Sequence, residues 1–119
     1  MGNTTVACVK NLRNNQKCVC YVDGTVEIFN GNTLQKSFKL SNLYDTYIND
    51  VEQIDDSVLL IGTRSQGVYE LDLQSGIRPF DAPNLVNKNC SYLYKDNFEN
   101  IWIGHSYGGV TLCLSNTYN

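Results

Sequence analysis

The sequence is poor in proline and histidine and has no long apolar run. It contains two prolines and one histidine among 119 residues. No stretch approaches the ~18 consecutive apolar residues of a membrane-spanning helix, and the first residues lack the basic and apolar regions of a secretory signal. We therefore predict no signal peptide, no transmembrane segment and no membrane contact from this segment.

An excess of basic residues is also missing. Nine Lys and Arg against twelve Asp and Glu give a formal net charge of -3, with both signs scattered along the chain. A protein that binds nucleic acid presents a patch of Lys and Arg to the phosphates. We therefore exclude nucleic acid as a partner.

Cysteine is present, but not at the spacing of a zinc site or a disulfide framework. The five cysteines are odd in number and form no CxxC pair. Cys18 and Cys20 would share one face of a strand, so a metal pair is one interpretation. The favoured interpretation is small buried hydrophobic side chains, because free cysteine is among the most buried residue types. We expect no metal and no cofactor.

Three segments of the chain echo one another. Residues 100–105 read NIWIGH, residues 59–63 read LLIGT, and residues 17–21 read KCVCY. Gly62 and Gly104 are 42 residues apart, as are Cys20 and Gly62. A period of about 40 to 50 residues is typical of a propeller blade, and each echo is followed by a glycine and a second apolar run.

This repeat, with the frequent Tyr, Val and Ile, predicts an all-β fold. We expect a partial β-propeller of about three four-stranded antiparallel blades, at approximately 4–40, 46–80 and 88–119. The third blade is expected to be incomplete, because only residues 115–119 remain for its fourth strand. The apolar residues of segment 48–54 are spaced by three, so a strand and a short helix both remain open there.

Several residues of the repeat are assigned to packing rather than to chemistry. Trp102 is expected to fill the wedge between blades, and Gly62 and Gly104 to let backbone approach closely. Gly67 and Gly109 precede the second apolar run of their units. Because propellers typically use four to eight blades, three leave an apolar face at each end. We expect self-association, most simply two chains completing a six-bladed ring, or further blades, to cover these faces.

Residues 96–110 resemble the two-component regulator propeller repeat. A blade of that family reads roughly D-x-x-G-N-I-W-I-G-T, followed after a short gap by G-G-L. The second unit keeps Leu60-Ile61-Gly62-Thr63, while the first keeps little beyond Asp23-Gly24. Glu99 stands where the family prefers glycine, and His105 where it prefers threonine. The third unit matches at Asp96, Asn100, Ile101, Trp102, Ile103, Gly104, Gly108 and Gly109.

The resemblance implies a periplasmic, extracytoplasmic sensor segment of a bacterial hybrid histidine kinase, which detects carbohydrate for signal transduction in a two-component system. Glycan is therefore the expected ligand. We find no kinase motif in these residues and predict that this segment is not an enzyme. The alternatives are a propeller-based enzyme of the lyase or quinoprotein type and a protein-interaction propeller of the WD or kelch type.

The candidate ligand-binding residues are aromatic side chains at predicted strand ends and connectors. Tyrosine combines a flat ring with a hydroxyl, which suits sugar rings. Packing of these tyrosines between blades is the other interpretation. For the histidine, a hydrogen bond to a neighbouring turn is favoured over catalysis, since no nucleophile motif accompanies it. The candidates are Tyr44, Tyr47, His105 and Tyr107.

Overall fold

The computed structural model describes residues 5–40 and 47–118, and its strands form three antiparallel sheets. The sheet orders are β1-β2-β3-β4, β5-β6-β7-β8 and β9-β10-β11, which confirms the predicted partial propeller with an incomplete third blade. The elements are β1 Val6–Asn11, β2 Gln16–Tyr21, β3 Thr25–Asn30, β4 Thr33–Lys39, β5 Ile48–Asp55, β6 Val58–Thr63, β7 Val68–Asp72, β8 Gly76–Pro79, β9 Cys90–Lys95, β10 Ile101–His105, β11 Val110–Cys113 and α1 Ser115–Tyr118.

Local turn chemistry explains why consecutive strands pair. Between β2 and β3, Gly24 has a φ of 90°, a conformation that glycine adopts without steric cost. The Asp23 carboxylate accepts a hydrogen bond from the Thr25 amide at 2.9 Å and so closes the same turn. Turns of this kind join neighbouring strands directly, which yields a meander in each sheet.

The segment with ambiguous apolar spacing is a strand with two irregularities. Strand β5 pairs with β6, but its register shifts between Ile48 and Asp50 and again between Gln53 and Asp55. A bulge inserts an extra residue and moves the following side chains to the other face. The apolar spacing of three therefore comes from irregular pairing, and the short helix is not formed.

The second sheet is covered on both faces, as its continuous apolar run predicts. Leu59 and Ile61 lie in a core cluster shared with the first sheet, whereas Leu60 lies in a second cluster shared with the third sheet. All three side chains are fully buried. Alternate side chains of one strand thus hold the two interfaces between sheets.

The inner strands β1, β5 and β9 lie side by side, and one carboxylate links all three. The buried Asp50 of β5 accepts a hydrogen bond from the Leu93 amide of β9 at 2.8 Å. Its other oxygen lies 3.2 Å from the Lys10 ammonium of β1. Because a buried carboxylate is costly unless it is paired, these contacts fix the spacing of the three sheets along their inner edge.

The outward face of the third sheet is apolar and uncovered within the described residues. After β11 the chain forms the short helix α1 instead of a fourth strand. Trp102 is 40% exposed, so the burial between blades expected for it is not found in this chain. The large apolar side chains exposed on this face or beside it are Tyr92, Tyr94, Trp102, Val110, Leu112 and Leu114.

Candidate functional site

The turns between the second and third strands of two sheets and the connector before β9 meet at one end of the fold. They border two adjoining open hollows of about 430 and 380 Å³, which share Arg64 and Asn89. We call the two hollows together the polar groove. Its lining residues are Asn49, Arg64, Ser65, Asn87, Lys88, Asn89, Ser91, Tyr92, Ser106 and Tyr107.

Hydrogen bonds accepted by the Asn89 side chain hold the groove in shape. Its side-chain oxygen accepts from the Ser106 amide at 3.1 Å and from the Ser91 hydroxyl at 3.3 Å. Asn87 caps the same connector, because its side-chain oxygen accepts from the Asn89 amide at 2.8 Å. Its nitrogen donates to the Tyr107 carbonyl at 2.6 Å. The connector and the β10–β11 turn are therefore tied together.

Tyr47 supports the main cation of the groove. The Arg64 guanidinium carbon lies 4.2 Å from the centroid of the Tyr47 ring, which is a cation–π contact. The Arg64 amide also donates to the Tyr47 carbonyl at 2.9 Å. The predicted residue Tyr47 thus contributes through the arginine stacked on it.

Tyr107 lies on the rim of the groove, while Tyr44 lies outside the described residues. The Tyr107 side chain is 71% exposed, so it is available to a ligand rather than packed between sheets. A flat, exposed aromatic ring beside amides and hydroxyls is a common arrangement for sugar contacts. Of the four predicted candidates, the structure brings Tyr47, His105 and Tyr107 to the same end of the fold.

His105 has a structural role at this end. Its Nδ1 lies 2.8 Å from the Asn89 carbonyl, which can only accept, so Nδ1 carries the proton. In the neutral ring Nε2 is then the acceptor for the Thr111 hydroxyl at 2.8 Å. Both ring nitrogens are occupied, as expected for a side chain bonded to a neighbouring turn. His105 therefore orients the connector that carries Asn89.

The repeat glycines divide into two kinds. Gly67 and Gly109 have φ of 78° and 99°, so both turns require the left-handed region that glycine adopts freely. At Gly62 an added Cβ would lie 3.4 Å from the Cys90 carbonyl oxygen of the next sheet. At Gly104 it would instead meet the Tyr92 side chain of its own sheet at 3.3 Å. Gly62 therefore allows a close approach between two sheets, whereas Gly104 does not.

The loop between β9 and β10 is organised by Asp96. Its carboxylate accepts from the Trp102 indole at 2.8 Å and from the amides of Phe98 and Asn100 at 2.8 and 3.0 Å. The bond from the indole, followed by those from the backbone, lowers the pKa of Asp96. All of its described contacts are with the loop and with Trp102. Local hydrogen bonding therefore explains why the repeat motif contains Asp, Asn and Trp at these positions.

The five cysteines are free thiols, and four of them are buried. The sulfur atoms of Cys18 and Cys20 lie 3.7 Å apart, on the face toward the second sheet. Burial raises the pKa of the Cys90 thiol to about 11, which disfavours the reactive thiolate. Within 5–40 and 47–118 no cluster of three or more His, Cys, Asp or Glu side chains is arranged to hold a metal ion.

The sequence analysis missed most of the groove, including Arg64, Lys88 and the asparagines of the connector. One signal could have identified them. The residues after Gly62-Thr63 and after Gly104-His105 occupy equivalent turns, and the chain enters the next inner strand at the same end. Polar residues in those turns and in the connector are therefore neighbours once the sheets stack side by side.

Comparison with solved structures identifies the class of fold. The chain is similar to the extracellular domain of a protein assigned as a hybrid two-component system from B. thetaiotaomicron, with a TM-score of 0.70 and 30% identity over 92% of this chain. It is also similar in fold to the extracellular domain of a protein assigned as a one-component system from the same organism, with a TM-score of 0.78 and 16% identity over 100% of this chain. The chain spans 15% of each of these two proteins.

The same fold occurs in a computationally designed protein named Ika8. The TM-score is 0.70 at 12% identity, over 96% of this chain and 34% of that one. No protein-family model and no curated protein matches the chain. Among the described residues no helix has the length and apolar character to cross a membrane.

These neighbours confirm the recognition made from the repeat motif. The chain is a β-propeller segment similar to the extracellular domain of a hybrid two-component system, and similar in fold to that of a one-component system. This similarity supports a sensor role for the segment.

Proposed function

We propose that this chain is a non-catalytic ligand-recognition segment in the extracytoplasmic, periplasmic sensor region of a hybrid histidine kinase, and that it responds to carbohydrate. The similarity to the extracellular domain of a hybrid two-component system, at 30% identity over 92% of the chain, carries this proposal. The polar groove is the site where we place the ligand.

The chemistry of the groove supports a sugar ligand. Amides, hydroxyls and an exposed tyrosine line it, and these groups match the hydroxyls and the ring faces of a saccharide. Hydrogen bonds among Asn87, Asn89 and Ser106 hold the lining in place before a ligand arrives. Preorganisation of this kind lowers the entropy cost of binding.

The state of His105 supports a non-catalytic segment. A general base needs a free nitrogen within hydrogen-bond reach of the substrate. In this chain the Asn89 carbonyl and the Thr111 hydroxyl occupy both ring nitrogens of the single histidine. A propeller-based enzyme is therefore the weaker alternative.

The test is a titration of the isotope-labelled chain with a panel of neutral and acidic oligosaccharides. Amide chemical shifts measured by NMR report the binding. We expect saturable shifts at the groove, centred on the amides of Asn89 and Ser106. The same mixtures are then assayed for new reducing ends, and we expect none. Shifts confined to residues far from the groove would contradict the assignment of the site, and cleavage of a glycan would favour the enzyme alternative.

We also propose that another propeller sheet covers the apolar outward face of the third sheet. The internal repeat supports this proposal, because Trp102 occupies the position that Leu60 holds in the second sheet, where the third sheet buries it. Either a second copy of the chain or further blades of a longer protein would provide such a sheet.

A further inference from the structure

A third hollow lies between the first and second sheets, at the end of the fold opposite the polar groove. Its volume is about 300 Å³, and the turns that join first to second and third to fourth strands border it. We call it the amide cleft. Five of its lining residues carry side-chain amides, namely Asn14, Gln16, Asn30, Gln35 and Gln74.

Contacts between the two sheets fix the walls of the amide cleft. The Arg13 guanidinium of the β1–β2 turn lies 3.1 Å from the Asp56 carboxylate of the β5–β6 turn. The Arg13 amide also donates to the Gln53 side-chain oxygen of β5 at 2.7 Å. On the other side, the Lys36 ammonium of β4 donates to the Leu73 carbonyl of the β7–β8 turn. Because these contacts join one sheet to the other, the walls are in place before a ligand arrives.

The formal charges of the cleft lining cancel. Lys36 and Asp56 are the charged residues that border the cleft, and both take part in the contacts between the sheets. A lining without net charge gives no electrostatic preference for a charged ligand. The amide cleft therefore suits an uncharged ligand.

The side-chain amides of the cleft are available for hydrogen bonds. Those of Asn14, Asn30, Gln35 and Gln74 are exposed and form no hydrogen bond with a described residue. Each amide offers two donors on its nitrogen and an acceptor on its oxygen. Sugar hydroxyls both donate and accept, so amides placed at several points around the cleft can pair with them.

The deepest part of the cleft is apolar. Ile28 belongs to the core cluster between the first two sheets, Leu73 packs against that cluster, and both border the cleft. Ligand sites typically combine an apolar surface with a small number of positioned polar groups. The C–H groups of a sugar ring fit such a surface, while its hydroxyls reach the surrounding amides.

We propose that the amide cleft is a second saccharide site and that it binds a neutral oligosaccharide. Amides from both sheets bind the sugar hydroxyls, and Ile28 and Leu73 contact the ring. The inference goes beyond the proposed function, because the amide cleft and the polar groove lie at opposite ends of the fold and share no lining residue.

The test is an NMR titration of the isotope-labelled chain with the neutral disaccharides cellobiose, lactose, maltose and sucrose. We expect at least one of them to cause saturable shifts of the backbone amides of Asn14, Gln35 and Gln74 at concentrations up to about 10 mM. Because the ligand is uncharged, increasing the salt from about 0.05 M to about 0.5 M should leave its affinity unchanged.

Variants at two neighbouring asparagines locate the effect. Asn14 and Asn15 have φ of 60° and 61°, a region that glycine adopts freely, so glycine at either position preserves the turn. Only the first of the two borders the cleft. We expect Asn14→Gly to weaken disaccharide binding by roughly three- to ten-fold, and the control Asn15→Gly to leave it unchanged. Gln35→Met removes a second amide at similar volume and should weaken binding to a similar extent.

The outcomes distinguish this inference from the proposed function. Shifts at Asn89 and Ser106 without shifts at Asn14 and Gln35 would overturn the second site and leave the polar groove as the ligand site. Shifts at the amide cleft alone would support the second site and count against the groove. Binding at the cleft that neither Asn14→Gly nor Gln35→Met weakens, or that Asn15→Gly weakens equally, would overturn the role of the amides.

Discussion

Glu99 adopts a backbone conformation that suits glycine better than glutamate. Its φ is 68°, in the left-handed region that a Cβ disfavours. The repeat family has glycine at this place, so the departure of this chain from the motif carries a conformational cost. Lys95 partly offsets that cost, because its ammonium lies 3.0 Å from the Glu99 carboxylate. The Glu99 side chain is exposed, and the mostly buried Lys95 ammonium also donates to the Ile54 carbonyl at 2.8 Å, so the pair with Glu99 is only one of its contacts.

We therefore expect Glu99→Gly to be more stable than Glu99→Ala by about 1 kcal/mol. Both variants lose the pair with Lys95, but only glycine relieves the strain of the positive φ. Urea unfolding monitored by Trp102 fluorescence measures the two free energies of unfolding. Equal stability of the two variants would show that this turn does not strain a residue with a Cβ.

Asp50 shows how one side chain on an inner strand connects three elements. The carboxylate is anchored on β5, pairs with Lys10 of β1 and accepts a backbone hydrogen bond from Leu93 of β9. A second carboxylate of β5 joins β5 to β9, since Glu52 accepts a hydrogen bond from the Lys95 amide at 2.8 Å. The inner edge of the stack is thus polar and directional, while the interior between the sheets is apolar.

Strands β6 and β10 have nearly the same sequence pattern but different surroundings. Leu60 and Trp102 occupy equivalent positions, since Leu60 pairs with Glu52 and Glu70, and Trp102 pairs with Tyr94 and Leu112. Leu60 is fully buried against the third sheet, whereas Trp102 faces outward. The energetic importance of the position therefore depends on whether a neighbouring sheet is present.

We expect Leu60→Ala to cost about 2 to 5 kcal/mol of unfolding free energy, because it leaves a cavity between two sheets. Trp102→Ala should cost less than about 2 kcal/mol in the dilute chain, since it removes a half-exposed ring and one hydrogen bond to Asp96. Urea unfolding monitored by circular dichroism at low protein concentration compares them.

Leu112→Ala serves as a control on the same open face and should be nearly neutral. A Trp102→Ala cost equal to that of Leu60→Ala would mean that the outward face is buried in solution, even at low concentration.

At the scale of the whole molecule, the two end faces of the stack differ. The outward face of the third sheet exposes mainly aromatic and aliphatic side chains. On the first sheet, Lys17 occupies the position of the buried Leu59 and Ile101, and Glu27 accepts a hydrogen bond from the Tyr21 hydroxyl at 2.7 Å. Burial of the third-sheet face gives a more favourable free energy than burial of the first-sheet face, because removing charged groups from water is costly.

We predict that the mass of the chain measured by light scattering rises with concentration, and that Leu112→Glu suppresses the increase by placing a charge on the open face. Val9→Glu makes the same change on the outward face of the first sheet. If it also suppresses association, both faces take part, as a ring of two chains requires. A chain that stays monomeric at every concentration would contradict the proposal that this face is covered by a second copy.

The sequence by itself determined the strands other than β5, their meander order and the repeat of units along the chain. These properties follow from local chemistry: alternation of side chains in β2 and β3, the Asp23-Gly24 turn, and the Asp96 loop that bonds Trp102. These local features recur with a spacing of 42 residues, because each blade satisfies most of its backbone hydrogen bonds within itself.

Only the tertiary structure decided which equivalent positions are covered and which side chains share a site. Leu60 and Trp102 occupy equivalent positions in the repeat. Only the stacking of the sheets makes one of them buried and the other exposed. Arg64 lies in the β6–β7 turn, whereas Lys88 and Asn89 lie in the connector before β9. They carry no motif, yet stacking of the sheets brings the two loops to one groove. The physical reason is that local hydrogen bonding shapes each sheet, whereas contacts between sheets depend on which neighbour is present.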